Sequence, residues 1–156
     1  EQAGAGMTLI CAFTFYGESV AKGRPRATVR GGHARLYTPA RTATFEGKVK
    51  AVAVVTMAGV GHAPTPDAVH VEIGFERAMP VSWPKKKRLL MAGEPIIGAP
   101  DIDNQVKSIL DALNGIVFED DKQVSDLTVS RRWGETNNFR ISVSLANGPG
   151  VLAEAA

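Results

Sequence analysis

Strict alternation of apolar and polar residues marks one strand of the chain clearly. From Val69 to Phe75 every second residue is apolar, which is the period of a strand with one buried and one exposed face. Between residues 22 and 39, Gly31 and Gly32 separate two short arms, a pattern that predicts a β-hairpin. Other segments rich in β-branched, aromatic or other apolar residues are also predicted to be strands: residues 8–17, 116–118, 123–133 and 139–145.

A first helix is predicted over residues 38–59 from apolar residues at roughly helical spacing. Thr38 is its expected N-cap, Pro39 its first helical residue and Gly59 its end. The apolar residues at this spacing are Phe45, Val49, Val52 and Val55.

A second helix is predicted over residues 104–115, with Asp103 as its N-cap and Asn114–Gly115 as its stop. Its apolar residues fall at positions i, i+3, i+4 and i+7: Val106, Ile109, Leu110 and Leu113. Residues 79–100 contain four prolines and two glycines and predict a long loop.

The order of these elements predicts an α+β fold, in which two main helices pack on one mixed β-sheet. Residues 7–147 are expected to form a single domain, because 156 residues with 44% hydrophobic composition can bury one core. Residues 1–6 are interpreted as an expression remnant or a frayed leader, and residues 148–156 as a flexible tail.

Composition limits the function classes that the chain can belong to. Cys11 is the only cysteine, which excludes an internal disulfide and a cysteine zinc cluster and fits a reducing cytoplasm. The apolar run at residues 51–61 is too short to span a bilayer, so we expect a cytoplasmic protein without a membrane partner.

Charge is strongly segregated along the chain, although the net formal charge is only +2. No acid lies between Glu18 and Glu46, or between Glu76 and Glu94. These two basic segments predict contacts with a polyanion, and ordinary solvated loops are the alternative. The expected DNA-binding side chains are Lys22, Arg24, Arg26, Arg30, Arg35, Lys85, Lys86, Lys87 and Arg88.

The segment from Glu94 to Asp126 has the opposite sign, with eight of the 16 acids against two lysines. Asp101 and Asp103 lie at the start of the second helix, where the macrodipole favours negative charge. A return of the chain after that helix would bring Asp120 or Asp121 alongside them. Carboxylate oxygens without His or Cys suit Mg²⁺, with Mn²⁺ as the alternative ion, and a metal-activated water would hydrolyse a phosphodiester.

Each acid also has a purely structural interpretation. Asp103 can be an N-cap and Asp101 a turn residue, while Asp120 or Asp121 can shape the turn before the last strands. Asp111 can pair with Lys107 at i+4, and we favour that interpretation for it.

The motif PDIDNQVKSILDALNGIVFEDDKQV, preceded by SWPKKKR and by KGRPR...LYTP, resembles the RusA family of Holliday junction resolvases from about Tyr16 to Val129. The resemblance implies a small homodimeric, Mg²⁺-dependent endonuclease that makes paired nicks in branched DNA, often phage or prophage encoded, acting in recombination and repair in a bacterial or phage-infected cell.

Residue roles follow from the same resemblance. Asp101, Asp103 and Asp121 match the catalytic metal-binding aspartates, and Lys107 matches the functional lysine. Further motif positions are matched by Asn104, Asp111 and Asp120, of which Asp120 is included among the expected metal ligands.

The chain departs from the family pattern in two places. IIGAP stands before the motif where basic residues are expected. Gln105 occupies a usually apolar position, which we place on the solvent side of the helix.

Two other functions are consistent with the sequence. One is a non-catalytic DNA-binding module whose acids hold a structural cation. The other is a nuclease for flaps and other branched DNA.

Overall fold

The computed structural model describes residues 8–146. The expectations for residues 1–6 and 148–156, and the domain limits at 7 and 147, lie outside these residues. Along the chain the elements are β1 (Leu9–Tyr16), β2 (Arg26–Arg30), β3 (His33–Tyr37), α1 (Ala40–Val60), β4 (Val69–Ala78), α2 (Lys85–Met91), α3 (Ile102–Leu113), a 3₁₀ turn (Asp121–Gln123), β5 (Val124–Gly134) and β6 (Asn138–Leu145).

The main sheet is mixed and has the strand order β1-β6-β4-β5. β4 pairs parallel to β5 and antiparallel to β6, while β1 pairs antiparallel to β6. The alternation predicted for β4 is confirmed, because Val69, Val71, Ile73 and Phe75 are all buried. The predicted α+β class and mixed sheet are therefore confirmed.

Helix α1 buries Phe45, Val49, Ala53 and Met57 against the sheet and α3. Val52 is half-buried and Val55 is exposed, because the buried apolar residues from Phe45 onward recur every four positions. The N-cap is Pro39 and not the predicted Thr38, and the helix continues past the predicted end at Gly59 to Val60. Its C-cap, Gly61, has a left-handed conformation with φ 68°, which glycine adopts without steric cost.

No helix among residues 8–146 has the length and apolar character needed to cross a membrane.

Helix α3 buries the predicted residues Val106, Ile109, Leu110 and Leu113. Its N-cap is Asp101 and not the predicted Asp103. The solvent-side placement of Gln105 was also wrong. Gln105 is only 8% exposed, and its amide nitrogen donates to Ser19 Oγ at 2.8 Å, a contact over 86 positions of sequence that helical periodicity cannot predict.

Residues 79–100 are more ordered than the predicted loop. Lys85–Met91 form α2 after Pro84, and the segment that follows pairs with the outer edge of β5. Ile96 N donates to Arg131 O at 3.1 Å and Trp133 N donates to Glu94 O at 3.1 Å. The segment from Glu94 to Ile96 therefore covers the outer edge of β5, and the chain then continues directly into α3. Residues 116–118, predicted as a strand, form a turn with single bridges from Phe118 to Thr65 and Asn114.

The predicted hairpin forms as β2 and β3, joined at Gly31 and Gly32, which both have positive φ. All ten of its strand residues are exposed. The hairpin therefore projects from the domain as a separate two-stranded ribbon.

Candidate active site and nucleic-acid interface

Asp121 returns to helix α3 through a contact with Lys107. The Lys107 ammonium lies 2.7 Å from Asp121 Oδ2 and 2.8 Å from Asp111 Oδ1. The contact forms because the turn after α3 and the 3₁₀ turn reverse the chain. Asp103 lies one helical turn before Lys107, which is about 6 Å along the axis. The structure therefore joins Asp121 to the flank of α3 that carries Asp103.

Asp111 belongs to a longer chain of alternating charges. Its second oxygen lies 3.0 Å from the Lys22 ammonium, and that ammonium lies 2.7 Å from Glu46 Oε1 on α1. The predicted pairing of Asp111 with Lys107 is confirmed, and Lys22 is an additional partner. Two lysines and three carboxylates thus connect α1, α3 and the 3₁₀ turn.

These contacts hold both lysines in the charged form. The pKa of Lys107 lies well above its usual range, first because of its hydrogen bond to Asp111 and then because of that to Asp121. Burial opposes the charge of Lys22, but hydrogen bonds to Glu46 and Asp111 outweigh it and raise its pKa. Lys107 therefore stays a cation across the physiological pH range.

Asp101 and Asp103 lie in the exposed first turn of α3. Asp103 Oδ1 accepts a hydrogen bond from the Asn104 backbone N–H at 2.9 Å. Within residues 8–146 the Asp101 carboxylate makes no hydrogen bond or ion pair, and it does not cap the helix. Both carboxylates therefore have oxygens that face water.

Asp120 caps the start of the 3₁₀ turn. Its carboxylate accepts from the Lys122 backbone N–H at 2.9 Å, and its own N–H donates to Gln123 Oε1 at 2.8 Å, which completes a capping box. The pKa of Asp120 is lowered, chiefly by the hydrogen bond from Lys122 N–H. The turn-shaping interpretation of Asp120 is therefore confirmed, and its role as a metal ligand stays a prediction.

Among the described residues, no group of three or more His, Cys, Asp or Glu side chains is close enough to hold a metal ion. Asp101 and Asp103 at the start of α3 and Asp121 next to Lys107 are therefore not gathered into one cluster. Their donor chemistry nevertheless fits Mg²⁺, because all are carboxylates and no His or Cys lies among them.

Arg131 is a site residue that the sequence interpretation missed. Its guanidinium donates to Pro100 O at 2.7 Å, to Gln105 Oε1 at 3.2 Å and to Gly98 O at 3.3 Å. It therefore holds the segment that enters α3 just before Asp101. The sequence did contain a signal for it. Arg131 lies two residues from both Val129 and Trp133, so its side chain points to the same face of the strand as these two apolar residues.

The predicted DNA-binding residues differ in how freely they are presented. The Lys22 ammonium forms ion pairs with Glu46 and Asp111, so it is less free to bind a phosphate. Arg88 donates to Pro80 O at 3.0 Å and to Glu135 Oε2 at 3.3 Å, which anchors α2 to the turn before β6.

The β2–β3 hairpin has two chemically different faces, as the register of its strands determines. Arg26 pairs with Tyr37, Thr28 with Arg35, and Arg30 with His33; partners in register share a face, so three arginines lie on one side. The opposite side is apolar and consists of Ala27, Val29, Ala34 and Leu36.

Helix α2 presents a second basic surface formed by Lys85, Lys86 and Lys87, all exposed. The Lys87 ammonium lies over the Trp83 ring, 4.3 Å from its centroid, and Trp83 contacts Trp133 with ring centroids 5.0 Å apart. Trp83 therefore packs on the domain and helps to fix α2.

Two comparisons with known proteins place this geometry in a family. The family model described as endodeoxyribonuclease RusA matches residues 17–145. A Bacillus subtilis (strain 168) protein described as uncharacterized protein YqaN is 34% identical over 138 residues, which cover 84% of this chain and 93% of that protein. The family-model match begins just after β1 and includes the hairpin, α3, the acidic segment and the other three strands of the main sheet.

Proposed function

Since this chain belongs to the RusA family of endodeoxyribonucleases, we propose that it is a Mg²⁺-dependent enzyme that resolves four-way DNA junctions by paired nicks. The observation that supports this best is the contact between Lys107 and Asp121 at 2.7 Å. It brings together two of the proposed catalytic side chains, which lie in different elements, and Asp103 lies one helical turn before Lys107 on α3.

Asp101, Asp103 and Asp121 are the proposed metal ligands, with Asp120 next to them. Mg²⁺ bound there would act as a Lewis acid on a phosphoryl oxygen and lower the pKa of a bound water. Asp120 keeps its capping box in this proposal, so its contribution is to fix the position of Asp121.

Lys107 has two roles in the proposed reaction. Its hydrogen bond orients the Asp121 carboxylate, and its ammonium stabilises negative charge that develops on the scissile phosphate. A cation that stays protonated at neutral pH suits both roles, which agrees with its raised pKa.

The basic surfaces position the DNA. Arg26, Arg30 and Arg35 on the hairpin, and Lys85, Lys86 and Lys87 on α2, are proposed to contact backbone phosphates. Such contacts give binding that depends strongly on salt and weakly on sequence. A homodimer in the cytoplasm is part of the same proposal, because two-fold symmetry would supply one active site for each of two opposed strands.

The test is nicking of a labelled four-way junction in Mg²⁺ by the native protein and by Asp101→Asn. Asp126→Asn is the matched control, since Asp126 is an exposed aspartate on β5 whose side chain contacts Ser125. We expect symmetric nicks from the native protein and from Asp126→Asn, and no nicks from Asp101→Asn.

Three other outcomes of this assay would contradict the proposal. Junction binding without nicking by the native protein would favour a DNA-binding module with a structural cation. Faster cutting of a flap than of the junction would favour a nuclease for other branched DNA. Full nicking by Asp101→Asn would remove Asp101 from the catalytic set.

A further inference from the structure

A cleft of about 650 Å³ opens beside the start of α3. Its walls are the segment between β1 and β2, the start of α1, and parts of β4 and β5. Pro100 and Gln105 also line it, and these two residues lie on either side of Asp101 and Asp103 in the chain. The cleft therefore reaches the chain on either side of Asp101 and Asp103, although neither carboxylate lines it.

Positive charge dominates the lining of this cleft, with five arginines against two glutamates. One of the acids, Glu76, is already used by the protein: it accepts from Asn138 Nδ2 at 3.0 Å and from the Glu135 N–H at 2.9 Å. These bonds, led by that from Asn138, lower the pKa of Glu76. The arginines are Arg24, Arg26, Arg41, Arg77 and Arg131.

The arginines fall into two groups. Arg131 and Arg77 donate to backbone carbonyls of residues 98–100, so they hold the wall. Arg24, Arg26 and Arg41 are exposed, and their guanidinium groups make no hydrogen bond or ion pair with any residue in 8–146. Three guanidiniums at the rim can therefore bind an anion without breaking an internal contact.

The remaining lining suits a flat aromatic ligand. Phe75 and Ile96 are buried residues whose edges reach the cleft, and Pro25, Pro39 and Pro100 add apolar surface. Gln105 and Asn137 contribute side-chain amides. An apolar slot with a few polar groups and a cationic rim matches a nucleobase joined to a phosphate.

We propose that this cleft receives one unstacked nucleotide of the DNA strand next to the scissile phosphate. Its phosphate contacts Arg24 and Arg41, and its base lies against the wall of Phe75 and Ile96. This rests on the proposed function, because it takes DNA as the substrate. Unstacking a base costs a few kcal/mol, and least where pairing is already interrupted, so the cleft favours a branch point over continuous duplex.

The test is the fluorescence of 2-aminopurine, which rises when the base leaves the stack. One four-way junction carries 2-aminopurine at its branch point. A second junction carries 2-aminopurine inside a paired arm and serves as the control. Measurements use saturating protein and EDTA, which prevents nicking. We expect a several-fold rise at the branch point with the native protein and none for the arm position.

Arg41→Gln tests whether the cleft itself receives the base. Arg41 is exposed on α1, so the variant should fold, and far-ultraviolet circular dichroism checks this. Lys50→Gln is the matched control, because Lys50 is exposed on the same helix and does not line the cleft. At saturation we expect Arg41→Gln to lose most of the rise and Lys50→Gln to keep it.

Two results would overturn the cleft assignment. One is the absence of a rise with the native protein. The other is a full rise with Arg41→Gln at saturation, which would mean that the junction opens without using the cleft. Nicking of the same junction in Mg²⁺ tests the proposed function separately from the cleft. Nicking without a rise in 2-aminopurine fluorescence rejects the cleft assignment alone, whereas the absence of nicking rejects the proposed function.

Discussion

The Arg131 guanidinium on β5 donates to the Pro100 carbonyl oxygen at 2.7 Å, one residue before Asp101. The same guanidinium also reaches Gly98 O and Gln105 Oε1. Arg131 thus links the sheet to both sides of the turn that presents Asp101 and Asp103. We expect it to act as a positioning residue for these carboxylates.

Arg131→Lys tests this role, because lysine keeps the charge but cannot place a nitrogen at the position of the guanidinium Nη1, which makes all three bonds. We expect the nicking rate of bound junction to fall about tenfold or more, since small displacements of catalytic groups have effects of this size. Single-turnover kinetics at saturating protein measure it. An unchanged rate with normal folding would show that charge alone is required.

Lys107→Met removes the ammonium from a side chain that is 51% exposed and keeps an unbranched apolar stem. We expect nicking to be lost but the free energy of unfolding to fall by at most about 1 kcal/mol, because exposed ion pairs contribute little. Urea unfolding and the junction assay measure the two effects. A large loss of stability would instead make Lys107 a folding residue.

The ion pairs of Lys107 should also be insensitive to pH near neutrality. Hydrogen bonds to Asp111 and then to Asp121 raise its folded-state pKa above the ordinary lysine value of 10.5. The stability that this shift contributes is therefore fully present below about pH 10 and is lost only as the pH rises through the folded-state pKa. The difference in unfolding free energy between native protein and Lys107→Met should be equal at pH 6.5 and 8.5, and a decrease between these values would contradict the assignment.

Asp121→Asn should abolish nicking while leaving junction binding largely intact. Asparagine keeps the size of the side chain and can still accept a hydrogen bond from Lys107, but it removes the charge proposed to hold Mg²⁺. Gel-shift binding without Mg²⁺ and nicking with Mg²⁺ measure both properties. Loss of binding, with Asp126→Asn unaffected, would mark Asp121 as a residue needed for folding.

The cationic face of the hairpin should supply phosphate contacts. Arg35→Ala is expected to weaken junction binding and to reduce the slope of log Kd against log salt by about one unit, the effect of one lost phosphate contact. Stability should not change, because Arg35 is exposed. Lys50→Ala is the control, and equal slopes for the two variants would remove the hairpin from the interface.

Replacing Lys85, Lys86 and Lys87 together by alanine should weaken binding and flatten the salt dependence further, because three cations are lost from one surface. The control is the pair Lys48→Ala and Lys50→Ala on α1, which lies outside both basic surfaces. Titrations at several salt concentrations measure the slopes. A slope that stays unchanged in the triple variant would exclude α2 as a DNA contact.

Several parts of the fold and the candidate site could be predicted from local sequence. The alternation from Val69 to Phe75 and the helical spacing of Val106, Ile109 and Leu110 depend only on backbone geometry. The pairing of Asp111 with Lys107 is also local, because residues four apart meet on a helix. The helix in residues 85–91 was missed because the prolines around it dominated the pattern.

Other parts depended on contacts between distant positions, which no local period encodes. Gln105 is buried because Ser19 and Arg131 meet it there, and Lys22 is tied to Asp111 across the domain. The sequence by itself determined most of the strands, the two long helices, and which kinds of side chain are available for chemistry. Only the tertiary structure decided that β4 and β5 run parallel, that Asp121 meets Lys107, and that Arg131 supports the turn before Asp101, because these relationships arise when separate elements pack around one core.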